Sequence, residues 1–363
     1  MFCATGALTF ILTQSFAAAV DRPRDVPISE PSATAPRPAV EPPKKSGFDR
    51  LWDSLTFYKN DESDFLNEFR FVGRAQFDQY MVDSALGHDQ DWIVRRLRFG
   101  GKGRLFHHLD FHAEVEMDPQ NDDPAYRRLT DAYLAWNFSK AVKFIAGKHS
   151  VKFTLDGSTS SKELLTIDRN NTANNFWFPA EYIPGVSLSG EIGPWVYNTG
   201  FYSGGSESPE FGNFDAGNFW LGSIGYDFGK QIGVEQALLR ADYVFNDPNA
   251  ESTFTRSFEQ IASLVFIFDA KRWGVSADVT AGRGSVQQSD AFGVVLMPWV
   301  NITDKLQFVG RYNYIASDEP NGVRFSRYEN FQTSGRGDEY HEFYAGLNYF
   351  FYGHRLKVQT GFA

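Results

Sequence analysis

Four basic residues of one segment share the same parity, and this arrangement is the one in the sequence best suited to binding or conducting a charged ligand. Within Asp91–Phe106 the basic parity carries Arg96, Arg98, Lys102 and Arg104, and a polar parity of the preceding segment carries Arg70 and Arg74. Residues of one parity lie on one face of a β-strand. These cations therefore predict a basic strip along one wall, along which an anion could pass from cation to cation without deep trapping.

Acidic residues in the following segment allow a second interpretation of this strip. Asp110, Glu114 and Glu116 share the polar parity of Leu109–Met117. They could pair with the arginines, in which case the charges would only hold the wall in shape. At the level of the sequence both interpretations stay open.

The elements that must position these residues read as β-strands, because polar and apolar residues alternate with a period of two. In Asp91–Phe106 the apolar parity includes Ile93 and Leu97, which we expect on the outer face. Further clear examples of the alternation are Phe65–Met81, Leu109–Met117, Ala237–Phe245 and Asp304–Ile315. Each of these strands has one face clean enough for lipid and one charged face.

The connections fall into two classes that alternate along the chain. Short turns are expected near Phe106–His108, Ser139, Gly193-Pro194, Asp269–Arg272, Ile302–Asp304 and Tyr352–His354. Long polar connections are expected at Asp83–Asp91, Asp118–Arg127, Ser150–Pro179, Gly204–Gly217, Asn246–Thr255 and Ser317–Glu339. Short turns on one side and long loops on the other are typical of an outer-membrane β-barrel, whereas a soluble sandwich has no reason to sort its loops.

Composition agrees with an all-β transmembrane barrel. Aromatic residues make up 16% of the chain and charged residues 22%, while the mean hydropathy is only −0.37. A helical membrane protein needs runs of about 20 apolar residues, and none follows the N-terminus. The net charge of −10 argues against nucleic-acid binding.

The sequence divides into three regions. Residues 1–19 resemble a secretory signal peptide ending in Ala17-Ala18-Ala19, and residues 20–47 form a linker with seven prolines. Residues 48–363 form the predicted barrel, in which we count about fifteen strands. Bacterial single-chain barrels have even strand numbers, so we expect about sixteen strands when complete, with the closing strand absent here or the count wrong by one.

The long connection Ser150–Pro179 follows the fifth strand of this count. It carries Lys152, Lys162 and Arg169, offset by an equal number of acids at Asp156, Glu163 and Asp168. If it folds into the lumen, its charges set the narrowest point and tune selectivity. Otherwise it is a surface loop.

No catalytic pattern occurs, so we predict a protein that is not an enzyme and needs no cofactor. The sequence contains neither a nucleophile elbow nor a zinc-protease motif. Cys3 is the only cysteine. His107, His108 and His112 have a spacing that could chelate a metal, but we interpret them as turn and lumen residues and predict no metal site.

Three stretches resemble the phosphate-selective porin O/P family. They are RRLRFGGKGRLFHHLDFHAEVEMD at 95–118, TDAYLAWNFSKAVKFIAGKHSVKFTLDGSTSSKELLTIDR at 130–169 and FPAEYIPGVSLSGEIG at 178–193. The resemblance extends over roughly residues 50–363. It implies a sixteen-stranded trimeric barrel, a third long loop that folds inward, and an arginine-lined path for phosphate or other anions.

On this resemblance, the basic wall maps to Arg70, Arg74, Arg96, Arg98, Lys102 and Arg104. The sequence departs from the family pattern in the missing closing strand, in the proline-rich linker and in the balanced charges of Ser150–Pro179.

The resulting prediction is a porin of the bacterial outer membrane, in contact with outer-membrane lipid and passing small anions. One alternative is a general porin without anion preference, in which Asp110, Glu114, Glu116 and Asp131 neutralise the basic strip. Another is a structural or tethering barrel with a plugged lumen. A soluble secreted β-protein is the last alternative.

Overall fold

The computed structural model describes residues 4–13, 46–205, 210–247 and 256–363. Its strands are β1 Ala4–Thr13, β2 Thr56–Lys59, β3 Leu66–Ser84, β4 Gly87–Leu105, β5 Leu109–Met117, β6 Tyr126–Asn137, β7 Lys143–Ser150, β8 Tyr182–Ile192, β9 Trp195–Ser203, β10 Asn218–Asp227, β11 Gln236–Asn246, β12 Phe258–Asp269, β13 Trp273–Gly284, β14 Ala291–Asn301, β15 Leu306–Ser317, β16 Val323–Arg324, β17 Arg336–Gly337, β18 Glu339–Phe350 and β19 Leu356–Phe362. Its helices are α1 Gly47–Asp53, α2 Leu155–Ser158, α3 Asn171–Phe176, α4 Gly229–Ile232 and α5 Glu329–Gln332. None of these described helices has the length and apolar character to cross a membrane.

One large antiparallel sheet contains 17 of the strands, and the four-residue β2 is only a short addition to β3. The other sixteen strands make up the body of this all-β sheet. From β3 to β15 each strand pairs with the next in sequence, and β15 then pairs with β18 and β18 with β19. The fifteen strands counted in the sequence are therefore present between Leu66 and Phe362.

Strand β1 is the sixteenth strand, and it pairs with β19 on one side and with β3 on the other. It lies within residues 1–19, so the backbone of the predicted signal segment occupies the place where a further strand was expected. The signal peptide, and the start of the barrel at residue 48, stay predictions. Residues 20–45 of the predicted linker lie outside the described residues, and α1 begins at Gly47.

The two classes of connection are present, with one exception. All six predicted short turns fall between consecutive strands, and long connections run over residues 118–125, 151–181 and 318–338. Gly204–Gly217 and Asn246–Thr255 lie partly outside the described residues. The long connection predicted at Asp83–Asp91 is wrong. Strands β3 and β4 have 19 residues each and continue to a two-residue turn, so their polar ends extend beyond the roughly ten residues that span a bilayer.

A β-bulge corrects one side-chain assignment in β4. Its pairing with β3 skips Arg95, which is therefore an extra residue that changes the parity of the strand. Ile93 consequently packs in the interior beside Tyr80 and Ile167, so the prediction that it lies on the outer face is wrong. The same bulge allows both Arg95 and Arg96 to contact interior groups.

The apolar core lies inside the sheet and is built around the connection between β7 and β8. We call this connection, residues 151–181, the constriction loop. Its buried Phe153, Phe176 and Phe178 pack against wall residues such as Phe219 and Phe258. The loop therefore packs as part of the interior, with its apolar side chains shielded from water.

Candidate permeation site

Carboxylates on the wall fix the first turn of the constriction loop. The backbone N–H of Thr154 donates to Asp242 Oδ2 at 3.1 Å, and that of Leu155 donates to Asp278 Oδ2 at 2.7 Å. These N–H groups lie at the start of α2, where a helix leaves its amides without internal partners. Arg240 completes the anchor by donating to the carbonyl oxygen of Thr154 at 2.9 Å.

The opposite walls hold the rest of the loop. Asn313 of β15 accepts from the N–H of Thr172 at 3.0 Å and donates to its hydroxyl at 2.6 Å. Lys357 of β19 donates to the carbonyl oxygen of Leu164 at 2.6 Å. Side chains of β11, β13, β15 and β19 thus hydrogen-bond the loop from several sides of the sheet. The loop therefore forms a fixed partition across the lumen. This is the inward course that the family resemblance implied.

On the long-loop side of this partition lies a cavity of about 280 Å³, which we call the mouth cavity. Its arginines are Arg95, Arg96, Arg128, Arg169, Arg256, Arg311 and Arg327, and its carboxylates are Asp168, Glu181 and Glu342. Seven cations thus face three anions. The cations come from strands β4, β6 and β15, from the constriction loop and from two further loops, so they surround the cavity on several sides.

Two further cavities continue this basic environment. The central cavity, about 340 Å³, shares Arg169 and Glu181 with the mouth cavity. The lysine cavity, about 410 Å³, shares Lys152 with the central one and reaches the short-turn residue Lys140. Leaving histidine aside, the central cavity has four basic and three acidic side chains, and the lysine cavity has four basic and one acidic.

A fourth cavity has the opposite sign. This acidic cavity, about 770 Å³, is lined by four acidic side chains and two lysines, leaving histidine aside. It shares Thr159 and Glu163 with the central cavity and none of its lining with the lysine cavity. Below the constriction loop the lumen therefore offers a basic side and an acidic side.

Neighbouring arginines lower the pKa of two carboxylates of the constriction loop, and the pKa of one lysine in the loop is lowered as well. Burial alone would raise the pKa of Asp168, but Arg95 and Arg327 hold it well below its usual range. In the same way Arg169 and Arg98 outweigh burial and hold the pKa of Glu181 well below its usual range. Burial, together with a nearby arginine, lowers the pKa of Lys162 to about 8.

Five of the nine predicted site residues line these basic cavities. Arg96 and Arg169 line the mouth cavity, and Arg74, Lys152 and Lys162 line the central one, which Arg169 also borders. The guanidinium of Arg74 donates to the hydroxyl of Ser161 in the constriction loop. The structure thus brings together the upper part of the predicted strip and the predicted loop cations.

Arg98 lies on the same face, but it is enclosed by partners. Its side chain is 1% exposed and contacts Glu116 at 3.0 Å and Glu181 at 3.4 Å, while also donating to the Tyr182 hydroxyl at 2.5 Å. Arg128 contacts the same Glu116 oxygen at 3.0 Å. Here the geometry matches the alternative in which acids neutralise the strip.

The remaining three predicted residues lie away from these cavities, toward the short-turn end of the wall. Arg70 contacts Glu68 at 3.0 Å and is paired across the strands with Lys102. Arg104 contacts Asp110 at 2.7 Å. None of Arg70, Lys102 and Arg104 is among the residues that line the four cavities.

Five arginines of the mouth cavity were not predicted as site residues from the sequence. Arg311 did lie on the polar parity of its strand, which was a usable signal. Arg95 was on the apolar parity until the bulge turned it inward. Arg128, Arg256 and Arg327 belong to a strand end and to loops whose course no periodicity reveals. Among the described residues, His107, His108 and His112 included, no three His, Cys, Asp or Glu side chains are grouped as metal ligands.

Comparisons with known proteins agree with this geometry. Residues 69–216 match the model of the family described as phosphate-selective porin O and P. The fold is similar to a loop L8 deletion mutant of OmpT, an outer membrane protein of Vibrio cholerae, at 13% identity over 81% of this chain and 97% of that chain, with a TM-score of 0.51. In-vitro folded OmpT of Vibrio cholerae gives 12% identity, 81% and 96% coverage, and the same TM-score.

No curated protein sequence matches the chain. At these identities the solved structures establish the fold, and the family model adds a sequence match for the segment that carries β4 and the constriction loop. Residues 69–216, about two fifths of the chain, thus match the phosphate-selective porin O and P family, and the chain has the fold of a bacterial outer-membrane porin.

Proposed function

We propose that this porin favours the diffusion of small anions, phosphate among them. The observation that carries the proposal is the mouth cavity, in which seven arginines face three carboxylates. A cleft lined by one sign of charge between low-dielectric walls raises the local concentration of the opposite ion. Anions entering from the long-loop side would therefore be enriched before they reach the constriction.

Two of these arginines are best placed to attract a mobile anion. Among the described residues neither Arg96 nor Arg256 has a carboxylate within ion-pair distance. Arg96 donates to the side-chain oxygen of Gln76 at 2.8 Å, and Arg256 donates to the carbonyl oxygen of Asn174 at 2.9 Å. Both guanidinium groups thus donate to neutral oxygens, and no described carboxylate forms an ion pair with them, which supports binding of a passing anion in the mouth cavity.

The chemistry of the cations bears on the class of anion. Guanidinium groups offer paired donors that match the oxygens of phosphate and carboxylate. The walls that adjacent cavities share would let such an anion pass from Arg169 to Lys152 in short steps. The constriction loop carries balanced charges, so we propose a preference for anions rather than exclusive passage of phosphate.

A general porin is the second candidate, and the ion pairs of the lower wall favour it. Arg98 and Arg104 are each held by a carboxylate of β5, and the acidic cavity offers cations a place below the loop. On this alternative the opposing charges cancel over the length of the channel and leave little selectivity.

The test is the reversal potential of the purified protein in a planar bilayer under a potassium chloride gradient. We expect a potential on the anion side, which shrinks in the double variant Arg96→Gln, Arg256→Gln. The matched control is Arg283→Gln, whose side chain is 67% exposed and is not among the residues lining the cavities. A potential near zero in the unaltered protein would favour the general porin, and no conductance would favour the tethering barrel.

We also propose that the protein is a homotrimer, as the family resemblance implies. Crosslinking in detergent micelles tests this, since a ladder that stops at the trimer is expected and a monomer alone would contradict it.

A further inference from the structure

A second long loop also enters the lumen, and the sequence analysis assigned it no role. We call residues 318–338, between β15 and β18, the mouth loop. It reaches the hairpin of β3 and β4, where the Tyr328 hydroxyl donates to Asp78 Oδ2 at 2.5 Å. The side chain of Gln332 donates to the carbonyl oxygens of Val82 at 3.1 Å and Gly87 at 3.0 Å.

The constriction loop holds the mouth loop from below. Asn171 and Asn174 of α3 donate to the carbonyl oxygens of Arg324 and Phe325 at 2.8 and 2.9 Å. The N–H of Arg324 donates in return to Asn175 Oδ1 at 2.8 Å. Because side chains of one loop satisfy backbone groups of the other, the two loops form one unit above the constriction.

This unit places one exposed cation at the entrance of the mouth cavity. Arg327 Nε donates to Asp168 Oδ2 at 2.9 Å, while Arg95 Nη2 donates to Asp168 Oδ1 at 3.0 Å. The side chain of Arg327 is 42% exposed, against 11% for Arg95. One carboxylate is thus shared by a buried and an exposed guanidinium, and the group as a whole keeps one positive charge.

We propose that the mouth loop is a second selectivity element and that Arg327 is a specificity-determining residue. An incoming oxyanion takes the place of Asp168 at Arg327, and Asp168 stays paired with Arg95. The free-energy cost of this exchange is small because Asp168 keeps Arg95 as its partner. Leaving a buried charge without any partner would be strongly unfavourable. The anion can also leave again when Asp168 returns, as conduction requires. This inference rests on the proposed anion preference.

The experiment compares Arg327→Gln and Arg327→Lys with the control Arg283→Gln in the reversal-potential assay, with chloride and then inorganic phosphate as the anion. Loss of one charge at about 7 Å in water changes local ion concentrations by a factor of two to three. We therefore expect the anion-to-cation permeability ratio to fall at least about twofold in Arg327→Gln. We expect Arg327→Lys to retain most of it with chloride but less with phosphate, because an ammonium lacks the paired donors.

The outcomes separate the two proposals. If the unaltered protein has no anion preference, the proposed function fails and this inference fails with it. If the unaltered protein prefers anions and Arg327→Gln behaves like Arg283→Gln, only the role of Arg327 is overturned. Gel mobility before and after heating shows that each variant has folded, so a change in potential reports the charge rather than misfolding.

Discussion

Arg98 is expected to stabilise the barrel rather than to select ions, and Arg98→Met tests this. The substitution leaves Glu116 with Arg128 and Glu181 with Arg169. Removing one partner of a buried ion pair costs about 3–5 kcal/mol. Because each carboxylate keeps one arginine, we expect the lower end of that range, about 3 kcal/mol of lost unfolding free energy.

A matched control lies on the same two strands. Arg104 of β4 pairs with Asp110 of β5 at 2.7 Å, but its side chain is 48% exposed. Exposed pairs contribute about 0–1 kcal/mol, so Arg104→Met should cost no more than that. The comparison keeps strand, residue type and partner type constant and changes burial.

The assay is urea unfolding of the protein in detergent micelles, followed by tryptophan fluorescence. The expected difference between the two variants is at least about 2 kcal/mol, from the buried and exposed values above. Equal unfolding free energies would refute the reasoning that burial makes the Arg98 pairs structural. A loss of anion preference in folded Arg98→Met, as large as in the Arg96 and Arg256 double variant, would place Arg98 in the anion path.

Three further predictions concern the constriction loop. The charge of Lys162 is present below its pKa of about 8 and is lost above it, so anion preference should decline as the pH rises from about 7 to 9, measured as reversal potential. Asp278→Ala removes the acceptor of the Leu155 N–H, a charged hydrogen bond of about 1.5–3 kcal/mol, and should increase single-channel conductance and current noise. Gly157→Ala puts a Cβ at 2.6 Å from the Trp177 ring, and the displaced ring should alter the conductance and the fluorescence of the folded protein.

Each of these has a control that keeps the rest of the loop intact. Lys162→Arg holds its charge over the same pH range and should flatten the pH profile, and a profile that is unchanged in this variant would contradict the assignment. Asp278→Asn keeps one acceptor oxygen and should lie nearer the unaltered protein than Asp278→Ala does. Gly47→Ala meets nothing within 4 Å and should leave conductance unchanged. If Gly47→Ala changes the conductance as much as Gly157→Ala does, crowding at Trp177 is not the cause of the change.

The fold follows from the sequence to the extent that periodicity carries it. Alternation identified the fifteen strands between Leu66 and Phe362, and turn residues located the short connections. The alternation pattern gave a wrong result at the β3–β4 hairpin. Polar residues there continue the two strands beyond the membrane and do not mark a loop. The pattern failed again at Ile93, because a bulge shifts parity by one residue without any mark in the composition.

The site follows less completely, because loops bring its residues together over long sequence separations. Arg96 was visible on a strand face, whereas Arg327 enters the mouth cavity only through the course of the mouth loop. That course depends on contacts such as Tyr328 with Asp78, which lie 250 residues apart in the chain. Local patterns carry no information about such pairs.

Arg96 and Arg98 lie on the same face of β4. Comparing them shows why one arginine is neutralised within the wall while the other faces the mouth cavity. Arg98 lies opposite Glu116 of β5, whereas the pairing of β4 with β5 ends at Leu97 and Met117. In the continued register Arg96 would meet Asp118, but the chain turns away there and Asp118 contacts Arg127 at 3.0 Å. Arg96 therefore keeps its charge for the mouth cavity because the neighbouring strand stops one residue too early to neutralise it. A variant in which the pairing of β5 with β4 continues by one residue should bring the Asp118 carboxylate to Arg96. Arg96 would then be neutralised in the same way as Arg98.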